Sequence, residues 1–264
     1  MRIRHIVFGA ILVASLLPQT VLSADGGLAA IRFGQGALAF SAGYIRPGVT
    51  SDGQVTKTPN DRQLLGQGDS LFLNMLNPDD VTLGARYTVY RKIHKVYHPT
   101  NRRYLGELIS IIGIVRITAI DQNLATALIE QSFSPIAAGD AIVPYEPPRA
   151  EEPGEPAQRS LPETPGTIID IQMQRTLVGQ SNVVYVDWGR DDGLRIGDTL
   201  DVFRIRAGLP PQIVGEMTIL ALEDRTATAL IKRSAAPIVA GDRFTVRETA
   251  GDIAHELQHP SPKQ

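Results

Sequence analysis

The chain has 264 residues, contains no cysteine and carries a formal net charge of −2 at pH 7. The absence of cysteine excludes disulfides, a thiolate nucleophile, a cysteine-ligated zinc site and a lipid-modified N-terminal cysteine. Loss of Arg2 and Arg4 with a leader peptide would take the charge from −2 to −4, and no block of lysine and arginine stands out, so a nucleic-acid partner is not expected.

Residues 1–23 have the pattern of a secretory signal peptide. Two arginines precede an apolar run over residues 6–17, and small residues favour cleavage between Ser23 and Ala24. The alternative is a transmembrane anchor, but the run is shorter than the ~20 apolar residues that span a bilayer. We therefore expect an exported protein, soluble after cleavage, that is periplasmic or associated with the outer membrane.

A stretch rich in proline and acidic residues, 147–166, divides the rest of the chain. Such a composition cannot bury a core and favours an extended path, so it predicts a linker. It separates a first β module at 43–146 from a second at 167–248. Residues 24–42 form an N-terminal segment with no clear pattern, and residues 249–264 form a C-terminal tail. Because the linker has almost no apolar residues to dock, we expect the two modules to fold independently.

Four blocks of sequence recur in the two halves in the same order, which predicts an internal duplication. The matched blocks are 87–91 with 200–204, 105–108 with 214–217, 125–129 with 227–231, and 136–140 with 238–242. The spacing between matched blocks falls from 113 residues to 109 and then to 102. This predicts two insertions in the first copy, one in the turn at 92–104 and one near 113–123.

Two glycines recur in this alignment, each beside an acidic residue. Gly106 is matched with Gly215, and Gly139 with Gly241. Glycine weakens a strand, so a glycine present in both copies is expected to have a backbone role. That role is either a positive φ in the Ala-Gly-Asp turn or a bend in the long third strand.

Apolar residues in each copy are mostly spaced two apart, in segments rich in valine, isoleucine, threonine and aromatic residues. This spacing predicts β-strands, which in the second copy cover 182–187, 199–206, 212–222, 226–232 and 243–247. Five strands in about 70 residues bury their apolar faces best by closing into a barrel. The predicted fold is therefore all-β, with two small SH3-like or OB-like β-barrel modules in tandem, joined by the proline-rich linker.

Two motifs suggest metal sites. Residues 255–259 fit H-E-x-x-H, which places two histidines one helical turn apart for zinc, but Pro260 would end the helix and no third ligand can follow. Asp187, Asp191 and Asp192 suggest a calcium loop, but its first position would be Trp188, where a carboxylate is required. We expect turn residues and a tail at these places, with no metal, no cofactor and no catalytic residues.

A basic, aromatic-bearing turn follows the first recurring block. Its candidate binding residues are Arg91, Lys92, His94, Lys95, Tyr97, His98, Arg102 and Arg103. Such a turn could bind an anionic polymer such as a glycan strand, or a lipid head group. The alternative is a solvated hairpin whose charges keep a sheet edge soluble.

Short motifs in both copies are similar to known families. In the second copy YVD (185–187), DGLRIGD (192–198) and VFR (202–204) resemble the C-terminal domain of flagellar assembly protein T. In the first copy LLGQGD (64–69), YTVYR (87–91) and HP (98–99) resemble the region that follows a LysM peptidoglycan-binding domain in envelope proteins of Gram-negative bacteria. Neither resemblance implies catalysis.

Taken together, the sequence predicts a non-enzymatic scaffold or adaptor of the bacterial cell envelope. Its partner would be an envelope protein complex that spans the wall or outer membrane, such as the flagellar basal body. The alternative is a peptidoglycan- or glycan-binding module that acts through the basic turn, and a metal-dependent hydrolase is the third hypothesis.

Overall fold

The structure of the protein is a computed structural model. It describes residues 38, 41–57, 64–147, 160–172 and 175–247. The fold is all-β, as predicted. The first half forms a seven-stranded antiparallel sheet, and the second half forms a closed six-stranded antiparallel barrel.

The strands follow one another in chain order. The first module contains β1 (Tyr44–Arg46), β2 (Gly53–Lys57), β3 (Ser70–Met75), β4 (Arg86–Tyr97), β5 (Tyr104–Asp121), β6 (Leu124–Ser132) and β7 (Ala141–Pro144). The second contains β8 (Gly166–Ile171), β9 (Val183–Val186), β10 (Thr199–Arg204), β11 (Gln212–Leu222), β12 (Ala227–Ser234) and β13 (Arg243–Val246). Short 3-10 turns cover Pro78–Asp80 and Arg190–Asp192.

The five strands predicted for the second copy are confirmed as β9 to β13, and the structure adds β8. Along β8, Ile168 packs in the barrel core whereas Ile169 packs against the first module. The strand is therefore apolar on both faces and lacks the alternation that marks a half-buried strand. This explains why sequence spacing did not reveal it.

In the first module the 18-residue β5 organises the sheet. The strand order is β1-β5-β4-β7-β2-β3-β6, and β6 at the far end also pairs with β5. Alternation is clear on β3, where Leu71, Leu73 and Met75 are buried between more exposed residues. Each of these large apolar side chains contributes about 1.5 to 3 kcal/mol relative to exposure.

The predicted duplication is visible in equivalent hydrogen bonds. Arg91 forms a bidentate pair with Asp140 at 2.6 and 2.8 Å, and Arg204 forms the same pair with Asp242 at 2.7 and 2.6 Å. In both copies the backbone N–H three residues before the aspartate also donates to its carboxylate, at 2.9 and 3.0 Å. The two copies therefore share the same arginine–aspartate turn.

One part of the sequence alignment is wrong. Gly215 lies opposite Val202 in the β10–β11 ladder, and the residue opposite the equivalent Val89 is Gly113, not Gly106. A Cβ on Gly113 would come within 2.5 Å of a carbonyl oxygen on β6, and one on Gly215 within 2.6 Å of the matching oxygen on β12. Residues 105–108 were matched with residues 214–217 because both contain a glycine between an apolar and an acidic residue. That pattern is short and common, so it recurs without structural equivalence.

The corrected alignment leaves one insertion in place of two. The spacing is 113 residues up to Arg91 and Arg204, and 102 residues from Gly113 and Gly215 onward, so the first copy gains 11 residues. All of them lie in the β4–β5 hairpin. We call this extended part of the hairpin, residues 92–110, the arm.

Gly139 and Gly241 are correctly matched. Their φ angles are +95° and +97°, in the left-handed region that favours glycine, and a Cβ would meet no atom within 4 Å. The predicted positive φ in the Ala-Gly-Asp turn is thus confirmed. Gly106 has a different role, since a Cβ there would lie 2.6 Å from the backbone of Arg46 and would push β1 off the sheet.

Candidate functional site

The two modules are in direct contact, contrary to the expectation that the linker leaves them uncoupled. We call this contact the joint. Its apolar centre consists of buried side chains from both modules, namely Ala42, Ile45, Val96, Leu105 and Leu108 from the first and Ile169, Val183 and Tyr185 from the second, with Leu230 packed against them. Three of these residues lie on the arm, so the insertion is what reaches the second module.

Two histidines of the arm pair with aspartates of the second module. His94 Nε2 lies 2.6 Å from Asp170 Oδ2, and His98 Nε2 lies 3.0 Å from Asp187 Oδ2. The Nδ1 of His98 accepts a hydrogen bond from the backbone N–H of Thr100 at 3.2 Å. The contacts of His98 therefore fit the tautomer with hydrogen on Nε2, which donates to Asp187.

The other oxygen of each aspartate is bound within the second module. Asp187 Oδ1 accepts from the Thr167 N–H at 2.6 Å, and Asp170 Oδ1 accepts from the Ile171 N–H at 2.8 Å. Hydrogen bonds within the second module therefore orient both carboxylates, Asp170 on β8 and Asp187 just after β9. The joint has polar contacts with defined geometry in addition to its apolar packing.

Strand β1 completes the joint. One edge of β1 pairs with β5, and its other edge faces β12. Thr228 Oγ1 donates to the Gly43 carbonyl at 2.8 Å, and Thr226 Oγ1 donates to the Ile45 carbonyl at 2.9 Å. Carbonyls two residues apart point to the same side of an extended chain. Thr226, just before β12, and Thr228, within it, share one face in the same way. Side chains therefore satisfy an edge that would otherwise be buried without partners.

Tyr185 lies at the middle of this surface. Its hydroxyl donates to the Ala42 carbonyl at 2.8 Å, and its side chain is buried. Burial raises the pKa of Tyr185 well above its ordinary value, which keeps the phenol protonated as a donor. At the rim, Arg46 forms a bidentate pair with Glu223 at 2.7 and 2.9 Å. The hydrogen bond to Glu223 raises the pKa of Arg46.

The structure divides the eight predicted binding residues into three groups. Arg91 anchors the Asp140 turn, and Lys92 pairs with Glu107 at 3.0 Å on the neighbouring strand, which raises the pKa of Lys92. His94 and His98 belong to the joint. Lys95, Tyr97, Arg102 and Arg103 are exposed near the end of the hairpin.

We call this last group the arm tip. Among the residues that the structure describes, Lys95, Arg102 and Arg103 form no ion pair. The ring of Tyr97 lies 5.5 Å from the ring of Tyr104, and both tyrosines are exposed. The arm tip therefore combines three cations with two aromatic faces. The prediction that this region binds an anionic polymer stays a prediction, now confined to a smaller surface.

Sequence reasoning missed the joint residues of the second module, above all Asp170, Tyr185, Thr226 and Thr228. Asp187 was considered only as a turn or calcium residue. Its carboxylate is occupied by Thr167 and His98, whereas Asp192 caps the turn through the Gly189 N–H at 2.9 Å. One available signal was the apolar run of β8, which an isolated barrel would not bury on both faces.

In the described ranges no group of three or more histidine, aspartate or glutamate side chains could hold a metal ion. The H-E-x-x-H motif at 255–259 lies outside the described residues. A search of the same ranges for a helix long and apolar enough to cross a membrane finds none.

Comparison with known proteins gives no assignment: no family model matches the sequence, and no curated protein is significantly similar to it.

Proposed function

We propose that the protein is a non-enzymatic scaffold or adaptor of the bacterial cell envelope, whose two modules are SH3-like or OB-like barrels. The observation that carries this proposal is the joint. The chain uses an 11-residue insertion, a short strand and four buried hydrogen-bonding side chains, those of His98, Tyr185, Thr226 and Thr228, to fix one copy of a module on the other. A fixed pair of similar modules suits a component that holds two partners at a set spacing.

The sequence supports the location and the type of partner. The signal-peptide pattern favours a location in the periplasm or at the outer membrane. The resemblance of the second copy to the C-terminal domain of flagellar assembly protein T favours an assembly that spans the wall or outer membrane, with the flagellar basal body as one example. The resemblance of the first copy to a region that follows LysM domains favours the same compartment.

The test compares a joint variant with the wild type in a deletion strain. Val96→Asp places a charge in the apolar centre of the joint and is expected to leave the barrel of the second module intact. If a fixed arrangement is what the protein supplies, this variant is exported at normal levels but does not restore the envelope phenotype. The proposal is overturned if Val96→Asp separates the two modules and the variant still restores the wild-type phenotype to the deletion strain. Turnover of an envelope substrate by the purified chain also overturns it.

The arm tip supports a second candidate function, the binding of peptidoglycan or another anionic glycan. Three cations beside two tyrosines could contact both the charges and the sugar faces of such a polymer. Sedimentation with purified sacculi at low salt tests it. The triple change Lys95→Ala, Arg102→Ala and Arg103→Ala should abolish co-pelleting. A control with the same charge change on exposed residues of the second module, Arg206→Ala, Arg225→Ala and Lys232→Ala, should not.

A further inference from the structure

The joint covers a face of the second module that has an uncovered equivalent on the first. On the second module this face is formed by β8, β9 and β12, with Tyr185 opposite Thr228 in the ladder. On the first module Phe72 lies opposite Thr126 in the same register, between β3 and β6. The corresponding strands of the two modules therefore present the same pair of positions to the outside.

The two faces differ in burial. Tyr185 and Thr228 are each 1 % exposed under the joint. On the first module Phe72, Thr126 and Leu128 are half-buried, and Leu124 is 41 % exposed. We call this uncovered surface, formed by Phe72, Leu124, Thr126 and Leu128, the β3–β6 face. It is apolar at three of its four positions, which favours contact with another apolar surface.

The second module also has an equivalent of the arm, and no other described segment covers it. Its β10–β11 hairpin occupies the position of the β4–β5 hairpin but is 11 residues shorter. Ile205, Leu209 and Ile213 in this hairpin are 60 %, 60 % and 66 % exposed. The arm likewise brings three aliphatic residues, Val96, Leu105 and Leu108, to the joint, where they are buried. We call residues 205–213, which include Ile205, Leu209 and Ile213, the short hairpin.

We propose that the short hairpin of one chain docks on the β3–β6 face of a second copy, so that copies associate head to tail. Within one chain, the arm of the first module packs on β8, β9 and β12 of the second module. In the first module, β3 and β6 correspond to β9 and β12. In the described part of the chain, the same two kinds of surface are left exposed, the short hairpin on the second module and the β3–β6 face on the first. A contact between two different surfaces of identical chains forms a ring if the rotation between copies closes and an open array if it does not.

The contact between chains is weaker than the joint. The short hairpin contains no histidine that could correspond to His94 or His98. Among the described strands, none lies on the β3–β6 face as β1 lies on the second module. The apolar area involved is small, as in transient interfaces. The fraction of chains that are associated therefore rises with protein concentration and is small in dilute solution. This inference goes beyond the proposed envelope role and does not rest on it.

Sedimentation velocity of the purified chain over a wide concentration range tests the proposal. The wild type should show a weight-average mass that rises steadily with concentration. A hairpin variant, Ile205→Asp with Leu209→Asp, and a face variant, Leu124→Asp, should each stay monomeric. The matched control is Leu83→Asp, which places the same charge on a leucine that is 68 % exposed and belongs to neither surface. It should associate like the wild type.

Mixing the two monomeric variants distinguishes head-to-tail from symmetric association. The hairpin variant keeps an intact β3–β6 face, and the face variant keeps an intact short hairpin, so an equimolar mixture should form a complex of two chains and no larger species. Thermal melts confirm that both variants are folded. A wild type that is monomeric at all concentrations, variants that associate as it does, or a mixture that stays monomeric overturns the proposal.

Discussion

His98 and Asp187 are separated by 89 positions in the chain, yet their side chains meet across the joint at 3.0 Å. Both are largely buried, with side-chain exposures of 9 % and 12 %. Loss of the imidazole leaves a carboxylate oxygen of the second module without its donor. This single contact therefore couples the arm of the first copy to the barrel of the second.

We predict that His98→Ala lowers the free energy of unfolding by about 1 to 3 kcal/mol, the usual cost of leaving a buried polar group unsatisfied. Urea titration measures it, and a double-mutant cycle with Asp187→Ala should give a favourable coupling energy. His94→Ala is the matched control, since the His94 side chain is 29 % exposed and should cost less. Equal losses for the two histidines, or additivity in the cycle, would contradict the prediction.

Thr226 and Thr228 give a second prediction. Thr226→Val and Thr228→Val keep the side-chain shape but remove the hydroxyls that donate to the carbonyls of Ile45, on β1, and Gly43, just before it. Each change should cost about 1 to 3 kcal/mol, because a buried carbonyl loses its partner. Hydrogen exchange should become faster at Tyr44–Arg46 and stay unchanged in the barrel.

The internal duplication supplies the control for this experiment. Thr126 occupies the position of Thr228 in the first module but is half-buried, and none of the described strands lies over it. Thr126→Val should therefore leave both the stability and the exchange of β1 unchanged. Faster exchange of β1 in this variant would show that the effect is not due to the lost hydroxyl bonds.

Much of the fold could be predicted from the sequence because its signals are local. Alternation identified β9 to β13, the Ala-Gly-Asp pattern identified the positive φ at Gly139 and Gly241, and recurrence identified the duplication. Each of these features depends on a few neighbouring residues. The closed barrel of the second module could be inferred in the same way, from the number of strands and the length available to them.

The candidate site could not be predicted, because it depends on which module surface covers which. His94 and His98 were singled out only as candidate contacts for an anionic polymer, and nothing near them in the sequence indicates that Asp170 and Asp187 are their partners. The wrong match of Gly106 with Gly215 placed a second insertion in β5 and so hid the full length of the arm. A short recurring block cannot fix register in a diverged repeat, whereas the opposing residue on the neighbouring strand can.

The corrected match of Gly113 with Gly215 leads to a third prediction. Gly113→Ala and Gly215→Ala should each lower the free energy of unfolding by about 1 to 3 kcal/mol, as overpacking in a core does. The added methyl group would approach a carbonyl oxygen at 2.5 or 2.6 Å. Gly66→Ala is the control, since a Cβ there meets nothing within 4 Å and its φ is not positive. A Gly66 variant as unstable as the other two would refute the steric explanation.

Glu130 gives a prediction about how stability depends on pH. Hydrogen bonding from Arg116, with Arg86 also nearby, lowers the pKa of Glu130. Because the folded-state pKa lies below that of the unfolded chain, the ion pairs stabilise the fold fully above the unfolded pKa of about 4.3, and this contribution is lost as pH falls through the folded value. Glu130→Gln should therefore destabilise the protein at pH 7 and make little difference at low pH.

Unfolding curves at pH 7 and at about pH 3, below the ordinary glutamate pKa, measure this effect. Glu163→Gln serves as the control, because Glu163 is exposed and forms no ion pair with any described residue. The difference in free energy of unfolding between wild type and Glu130→Gln should narrow on acidification, whereas Glu163→Gln should match the wild type at both pH values. A difference that widens in acid would show that folding raises the pKa of Glu130 instead of lowering it.

The last prediction concerns what holds the two modules together once the linker is cut. The composition of residues 147–166 predicts protease cleavage there, because proline-rich acidic segments bury little and present an extended backbone. If the linker alone connected the modules, the two fragments would separate after cleavage. Because the joint buries apolar side chains from both modules and pairs His98 with Asp187, the fragments should instead elute together on size exclusion under native conditions. In Val96→Asp combined with His98→Ala the same cleavage should release two separate fragments, whereas Lys92→Ala, which removes only a surface pair on the arm, should leave them associated. Separation of the wild-type fragments would show that the joint does not hold without the covalent link.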